Sequence, residues 1–173
     1  QLNNGSETGF AVQSYFARVN YNFKDKYLLE ANVRRDGSSR FLKDKWGVFP
    51  SFSAGWIMSE EDFISSITAM DFLKIRASWG ELGNANVPNF AFNKSLSLTE
   101  GYSFGGVIVP GVGQSSLGNE NLSWEKTTST NFGVNLVLNN GLGIDFDLFN
   151  RETSDILFDL PVNVLTGFTS QYT

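Results

Sequence analysis

The sequence predicts an all-β protein in which antiparallel strands follow one another as an up-and-down meander. Apolar and polar side chains alternate along six segments, and this two-residue period is typical of strands with one apolar face. The composition agrees, because 14% of the residues are aromatic and 16 of the 173 are phenylalanine. No run of about 18 apolar residues is present, which excludes a transmembrane helix.

The first two predicted strands, Val12–Phe23 and Tyr27–Asp36, are joined by the short charged connection KDK at 24–26. In the first strand the apolar residues occupy alternate positions that end at Phe23, opposite a face of Ser, Arg and Asn. The second strand repeats the pattern, with Leu29 and Val33 on its apolar face. The pair is therefore predicted to form a hairpin.

The third predicted strand, Val48–Ile57, follows a polar loop at 36–47. Phe52 and Trp56 lie on its apolar face, opposite serine and glycine. Pro50 stands near the start of the strand and lacks an amide hydrogen, which predicts a bulge or a gap in the hydrogen-bond ladder.

A short helix is predicted at 59–67, between the third and fourth strands. Ser59 is the expected N-cap, and three acidic residues follow it in the first turn, where they favour the helix dipole. The fourth predicted strand, Phe72–Gly80, alternates again between apolar and polar side chains.

A stretch rich in Gly, Asn and Ser occupies 81–122, with one candidate strand at 90–98. The glycine-rich segment GGVIVPGVG at 105–113 lacks the Gly-Lys-Ser/Thr ending of a phosphate-binding loop, so a plain loop is predicted there. Connections of this length are normally functional or mobile.

The last two predicted strands are Trp124–Leu138 and a segment that begins at Leu142. The sequence NNG at 139–141 is a strong hairpin-turn signal, because Asn and Gly tolerate positive φ. The tail at 161–173 shows no clear period and is expected to be irregular.

Composition and charge exclude several classes of function. The chain contains no cysteine and no histidine, which excludes disulfides, thiolate and imidazole chemistry and the commonest zinc sites. The net charge is −5 and the pI about 4.7, without the basic patch that nucleic-acid binding requires. No enzyme signature and no cofactor or metal motif is present.

The predicted connections differ in length at the two ends of a meander. The first, third and fifth connections are short, whereas the second and fourth are long and polar. Transmembrane β-barrels combine short turns at one end with long loops at the other, and their strands need about 9–11 residues. Aromatic residues also gather near the short turns. These signals favour a membrane barrel wall, and a soluble β-sandwich that binds carbohydrate or acts as an adhesin stays open.

Several segments resemble the barrel strands of the SusC/RagA family of TonB-dependent outer-membrane transporters of Bacteroidetes. They are YFARVNYNFKDKYLLEANVRRDGSSRF, KWGVFPSFSAGW, DFLKIRASWGELGN, LGNENLSWEKTTSTNFGVNL, DLFNRETSDILFDLPV and TGFTS. These blocks cover nearly the whole chain and follow the family's order.

The resemblance implies a transmembrane barrel of about 22 strands with an N-terminal plug and a surface lipoprotein of the SusD type as partner. It implies import of glycan oligosaccharides, or of peptides, across the outer membrane, driven through TonB. The sequence begins without a signal peptide and shows no plug or TonB box, so residues 1–173 are expected to form one segment of the barrel wall in contact with outer-membrane lipid.

Three aromatic residues in or beside the 81–122 loop are candidates for contact with cargo or with the lipoprotein, because sugars stack on exposed aromatic faces. They are Tyr102, Phe104 and Trp124. Packing within the loop is the alternative interpretation for each.

Charged residues on the polar face are expected to form ion pairs within the barrel lumen. Arg34, Arg76 and Arg151 are the predicted cations, with partners such as Glu30 or Asp147. Asp145 and Asp147 share a face two residues apart, and solvated acids are a better interpretation than a catalytic pair.

Overall fold

The computed structural model describes residues 5, 7–65 and 70–173. Six strands of 12 to 15 residues form one antiparallel sheet, and this confirms the predicted all-β meander. The strands are β1 (Val12–Phe23), β2 (Tyr27–Ser38), β3 (Trp46–Ile57), β4 (Met70–Asn84), β7 (Glu125–Leu138) and β8 (Gly143–Ser154). Their order in the sheet is β1-β2-β3-β4-β7-β8.

The connection between β4 and β7 contains a separate hairpin, β5 (Leu96–Phe104) and β6 (Val107–Gln114). The plain loop predicted at 105–113 was therefore wrong, and only the end of the candidate strand at 90–98 lies in β5. Gly105 and Gly106 adopt φ values of 57° and 82° and form the turn. The Val-Ile-Val run that follows has a high β propensity, which the glycines around it concealed.

Two short helical turns join β3 to β4, a 3₁₀ turn at Met58–Glu60 and α1 at Asp62–Ser65. Part of the predicted helix lies at 66–69, outside the described residues. The N-cap prediction for Ser59 was wrong, because Ser59 lies within the 3₁₀ turn and its N-cap is Ile57. Among the described residues, no helix has both the length and the apolar character needed to cross a membrane.

The tail is more regular than predicted. Two short strands, β9 (Asp159–Pro161) and β10 (Ser170–Tyr172), pair with each other across a 3₁₀ turn at Val164–Thr166. Gly167 ends that turn with φ 82°, a left-handed conformation that glycine adopts without strain.

Two connections at one end of the sheet, here called the turn end, are tight as predicted. The third connection there was wrongly predicted to be short, because 58–69 between β3 and β4 is longer than the β2–β3 connection at 39–45. Lys24 and Asp25 have φ values of 53° and 55°, and the amide of Lys26 donates to the carbonyl of Phe23 at 3.1 Å. In the NNG turn the amide of Gly141 donates to Leu138 at 2.9 Å. Both turns follow the right-handed twist of the paired strands.

The buried core lies at the opposite end, here called the loop end. There the β2–β3 and β4–β7 connections fold over the strand ends. Five buried side chains form this loop-end cluster: Phe41, Phe49, Val87, Leu122 and Trp124. The indole N–H of Trp124 donates to the carbonyl of Lys45 at 3.1 Å, so the polar atom of this buried ring is satisfied.

Candidate functional site

The apolar face of the sheet is continuous across all six strands and is not covered. Antiparallel pairing places Tyr21, Leu29, Ala54, Ala77, Phe132 and Leu148 in a single row. Leu29 is 52% exposed, Phe132 42% and Leu148 58%. A soluble sandwich would bury these side chains against a second sheet, so their exposure contradicts that alternative. An apolar surface of this extent requires apolar surroundings.

The border of the apolar band drifts across the sheet. On β1 the band reaches Tyr15 toward the loop end, whereas on β8 it stops at Leu148, whose row contains Tyr21. The border shifts by six residues, from the row of Tyr15 to the row of Tyr21. This is about 20 Å along the strand, over five strand spacings of about 4.8 Å each. These lengths correspond to a strand tilt of about 40° against the band, within the range of transmembrane barrels.

Aromatic side chains border the band on both sides. At the turn end Tyr21, Phe23, Tyr27 and Trp56 form a chain of ring contacts with centroids 6.2 to 6.4 Å apart.

Toward the loop end Tyr15 stacks on Trp46 with centroids 6.0 Å apart, and the Arg35 guanidinium lies 4.8 Å from the Trp46 ring. Trp46 and Trp56 are ten residues apart on β3, about 33 Å along the strand, or about 25 Å at the tilt above. This height equals that of the apolar band of outer-membrane barrels. Sequence reasoning missed the second border because it placed Trp46 in the 36–47 loop.

The polar face carries the predicted ion pair between Arg76 and Asp147. The Nη2 atom of Arg76 lies 2.6 and 2.8 Å from the two carboxylate oxygens, and its Nε donates to Asn135 at 3.2 Å. The pair lies over Gly133, where an added Cβ would stand 2.6 Å from Asp147 Oδ1. Both charged side chains remain partly exposed, so the pair adds little to the free energy of unfolding. Its main effect is to fix the positions of these side chains on the polar face.

The other predicted cations have different partners. Arg34 pairs with Asp36, two residues along the same face of β2, at 2.7 Å. Glu30 accepts a hydrogen bond from Asn32 at 2.6 Å instead of pairing with an arginine. No ion pair of Arg151 occurs within the described part of the chain. The face is therefore a network of amides and charges suited to a wetted surface.

At the turn end Glu61 joins two connections of the meander. Its carboxylate accepts hydrogen bonds from the Tyr27 hydroxyl at 2.8 Å and the Trp56 indole at 3.2 Å. The Lys26 ammonium lies 3.3 Å from the same group. The bonds from Tyr27 and Trp56, and then the Lys26 charge, lower the pKa of Glu61 against the opposing effect of desolvation. Residue 61 is therefore an acceptor that ties the β3–β4 connection to β2 and β3, and not only a helix-start charge.

The three predicted contact residues lie in different surroundings. Tyr102 and Phe104 are 68% and 65% exposed on β5, with ring centroids 4.9 Å apart. Their contact with cargo or lipoprotein stays a prediction. Trp124 is only 7% exposed and its ring centroid lies 5.4 Å from those of Phe41 and Phe49. Loop packing, the alternative interpretation, accounts for Trp124.

Comparison with known proteins identifies relatives along the whole sheet. The family model described as "TonB dependent receptor-like, beta-barrel" matches residues 2–173. The TonB-dependent receptor P39 of Formosa agariphila is 38% identical over 166 residues, covering 94% of this chain and 16% of that protein. The TonB-dependent receptor SusC of Bacteroides thetaiotaomicron is 37% identical over 177 residues, covering 96% and 18%.

Solved structures show the same arrangement of strands. The RagAB peptide transporter superposes with a TM-score of 0.83 at 31% identity, covering 95% of this chain and 18% of that chain. The RagAB peptide importer in its "open-open" state gives 0.81 at 30% identity. The chain thus spans less than a fifth of the relatives it matches. It belongs to the TonB-dependent receptor-like β-barrel family and resembles the SusC and RagA transporters.

Proposed function

We propose that this chain forms part of the wall of a TonB-dependent importer in the outer membrane. The observation that carries the proposal is the uncovered apolar band between two aromatic borders about 25 Å apart. Hydrocarbon is the surrounding that this band fits, because exposure to water of so many apolar side chains would favour aggregation. The opposite, polar face then lines the lumen.

The edges of the sheet support a larger closed structure. Within the described residues, β1 and β8 each pair along one side only. Unpaired backbone groups are very costly in lipid, so neighbouring strands of the full-length protein must continue the sheet at both edges. A closed barrel of about 22 strands meets this requirement.

Cargo and partners are proposed from the relatives. The names of SusC and of the RagAB peptide transporter support TonB-dependent import, with peptides as one class of cargo. Glycan oligosaccharides as cargo and a SusD-like lipoprotein at the surface are proposed from the family resemblance of the sequence. Transport then depends on parts of the full-length protein beyond this sheet, with the strands as a passive wall.

The β5–β6 hairpin is the proposed contact with cargo or lipoprotein. It leaves the loop end on a hydrogen-bonded base, in which the amide of Ser115 donates to Ser95 at 2.8 Å. Its aromatic pair, Tyr102 and Phe104, presents large apolar rings on a strand with few charges. Aromatic rings of this kind bind sugars and apolar peptide side chains by stacking.

The wall proposal is tested by placing one charge on either face of β3 in the full-length protein. Ala54 and Ser53 are both exposed neighbours, on the apolar and the polar face. Ala54→Arg should cost about 2–4 kcal/mol in the membrane and reduce the folded, heat-modifiable protein in the outer-membrane fraction, whereas Ser53→Arg should be tolerated. Equal yields of the two variants would contradict the assignment of the faces.

The hairpin is tested in cells that produce the full-length protein. Tyr102→Ala combined with Phe104→Ala should leave outer-membrane yield unchanged and slow growth on the oligosaccharide or peptide source that depends on the full-length protein. Unchanged growth together with unchanged lipoprotein co-purification would remove the hairpin from the proposal.

A further inference from the structure

The apolar face contains a trough whose floor is made of two small side chains. Ala54 and Ala77 pair directly across β3 and β4 and are surrounded by larger residues. Trp56 bounds them toward the turn end, and Phe52 and Trp79, stacked with centroids 6.1 Å apart, bound them toward the loop end. The turn-end half has a volume of about 520 Å³ and the loop-end half about 680 Å³, and the two halves share this floor.

The direction and length of the trough fit a lipid chain. It runs along the strands from the row of Tyr27 and Trp56 to the row of Phe52 and Trp79. This distance is four residues, or about 13 Å. One leaflet contributes about 15 Å of hydrocarbon to a bilayer. At the strand tilt of about 40° its height along the bilayer normal is about 10 Å, so the trough covers about two thirds of one leaflet, on the side of the short turns.

A cation stands at the turn end of the trough. The Lys24 ammonium lies 5.4 Å from the centroid of the Phe23 ring, which lines the trough. Lys26 is engaged by Glu61, whereas no carboxylate in the described ranges forms an ion pair with Lys24. A lysine at the membrane surface attracts the phosphate of a lipid headgroup.

We propose that the trough is a phospholipid site, which holds one acyl chain of the periplasmic leaflet between the aromatic pairs and the headgroup phosphate at Lys24. This inference rests on the proposed function, because it requires the apolar face to lie in the membrane. A second copy of the chain is a poorer occupant. A stable protein interface buries about 800 Å² on each partner. A trough only about 13 Å long offers a much smaller contact area.

The experiment uses the full-length protein, purified from outer membranes in mild detergent and examined by native mass spectrometry with added phosphatidylglycerol. The wild-type barrel should retain one phospholipid through delipidation. Ala54→Leu combined with Ala77→Leu fills the floor and should lower retention about tenfold, equivalent to about two lost methylene contacts. Ala17→Leu, on the same face of β1 outside the trough, should leave retention unchanged.

The headgroup contact has its own pair of variants. Lys24→Gln should weaken retention of the phospholipid, whereas Lys94→Gln, a lysine of the loop end, should not. A folded outer-membrane barrel that retains no phospholipid would overturn the inference and leave the proposed function intact. Loss of a dimer in the Ala54→Leu, Ala77→Leu variant would identify a second copy as the occupant. Absence of the wild-type protein from the membrane would instead contradict the proposed function.

Discussion

The two ends of the sheet are held together by different forces. At the loop end the β2–β3 and β4–β7 connections help bring five apolar side chains into a buried cluster, whereas at the turn end the β1–β2 and β3–β4 connections are tied by polar bonds to Glu61. Of the buried hydrophobic side chains among the described residues, Ile64 alone lies at the turn end, and hydrogen bonds to Glu61 hold the connections there. The loop end should therefore respond to lost volume and the turn end to lost charge.

The largest expected effect is the loss of volume at the loop end. Leu122→Ala truncates a side chain that is 1% exposed and should destabilise the loop end by about 2–5 kcal/mol. Faster amide hydrogen exchange in the 85–95 and 115–124 segments of the full-length protein would measure this. Leu98→Ala, at an exposed position of β5, is the control and should change exchange little. Equal effects of the two variants would mean that the cluster does not hold the loops.

A smaller effect is expected from added volume in the same place. The Phe49 ring lies across Gly83, where a new Cβ would stand 2.5 Å from Phe49 Cε1. Gly83→Ala should therefore displace the ring from Trp124 and destabilise the loop end by about 1–3 kcal/mol, measured by urea unfolding in micelles.

The matched control for Gly83→Ala is Gly143→Ala, a strand position where no atom lies within 4 Å of the new Cβ. It should be neutral. A stable Gly83→Ala variant with an unshifted fluorescence spectrum of tryptophan would contradict the expected displacement of the Phe49 ring from Trp124.

The smallest effect concerns the turn end and depends on pH. Because the folded-state pKa of Glu61 is lowered, its stabilisation is present above the ordinary glutamate pKa of about 4.3 and is lost as the pH falls through the lower folded value. Protection of the Ile57 amide, which donates to Lys26 at 2.8 Å, should fall over that window after correction for intrinsic exchange.

Glu61→Gln should abolish this pH dependence, and Glu60→Gln, a change at the exposed neighbouring position, should preserve it. A pH profile that is the same in all three proteins would remove Glu61 from the account of the turn end.

The local alternation of apolar and polar residues predicts the strands of the sheet, but not the side-chain contacts at its two ends. The alternation in β1 and β2 reports the sheet's two faces directly, so strand identity and the partner rows follow from sequence. The loop-end cluster joins Phe41 to Trp124, more than eighty positions away, and no local period reports such a contact. The β5–β6 hairpin does not follow from local pattern, because the glycines around its β-branched residues are also typical of a loop.

The contacts of the candidate functional site were likewise predictable only in part. The Arg76–Asp147 pair was predicted because both residues lie on the polar face of long strands. Arg34 instead pairs with Asp36, two residues away on its own strand. The Glu61 contacts depend on how the turn between β3 and β4 folds back toward β2, which sequence period does not describe.

In the proposed barrel, the strand inclination and the number of strands together set the size of the pore. At about 40°, each strand occupies about 6.3 Å of circumference, so six strands form an arc of about 38 Å. A ring of about 22 such strands would be about 44 Å across, far too wide for its own inward side chains to seal. In the proposed barrel, the residues around Arg76 would therefore face a wide lumen that only a separate part of the full-length protein could close.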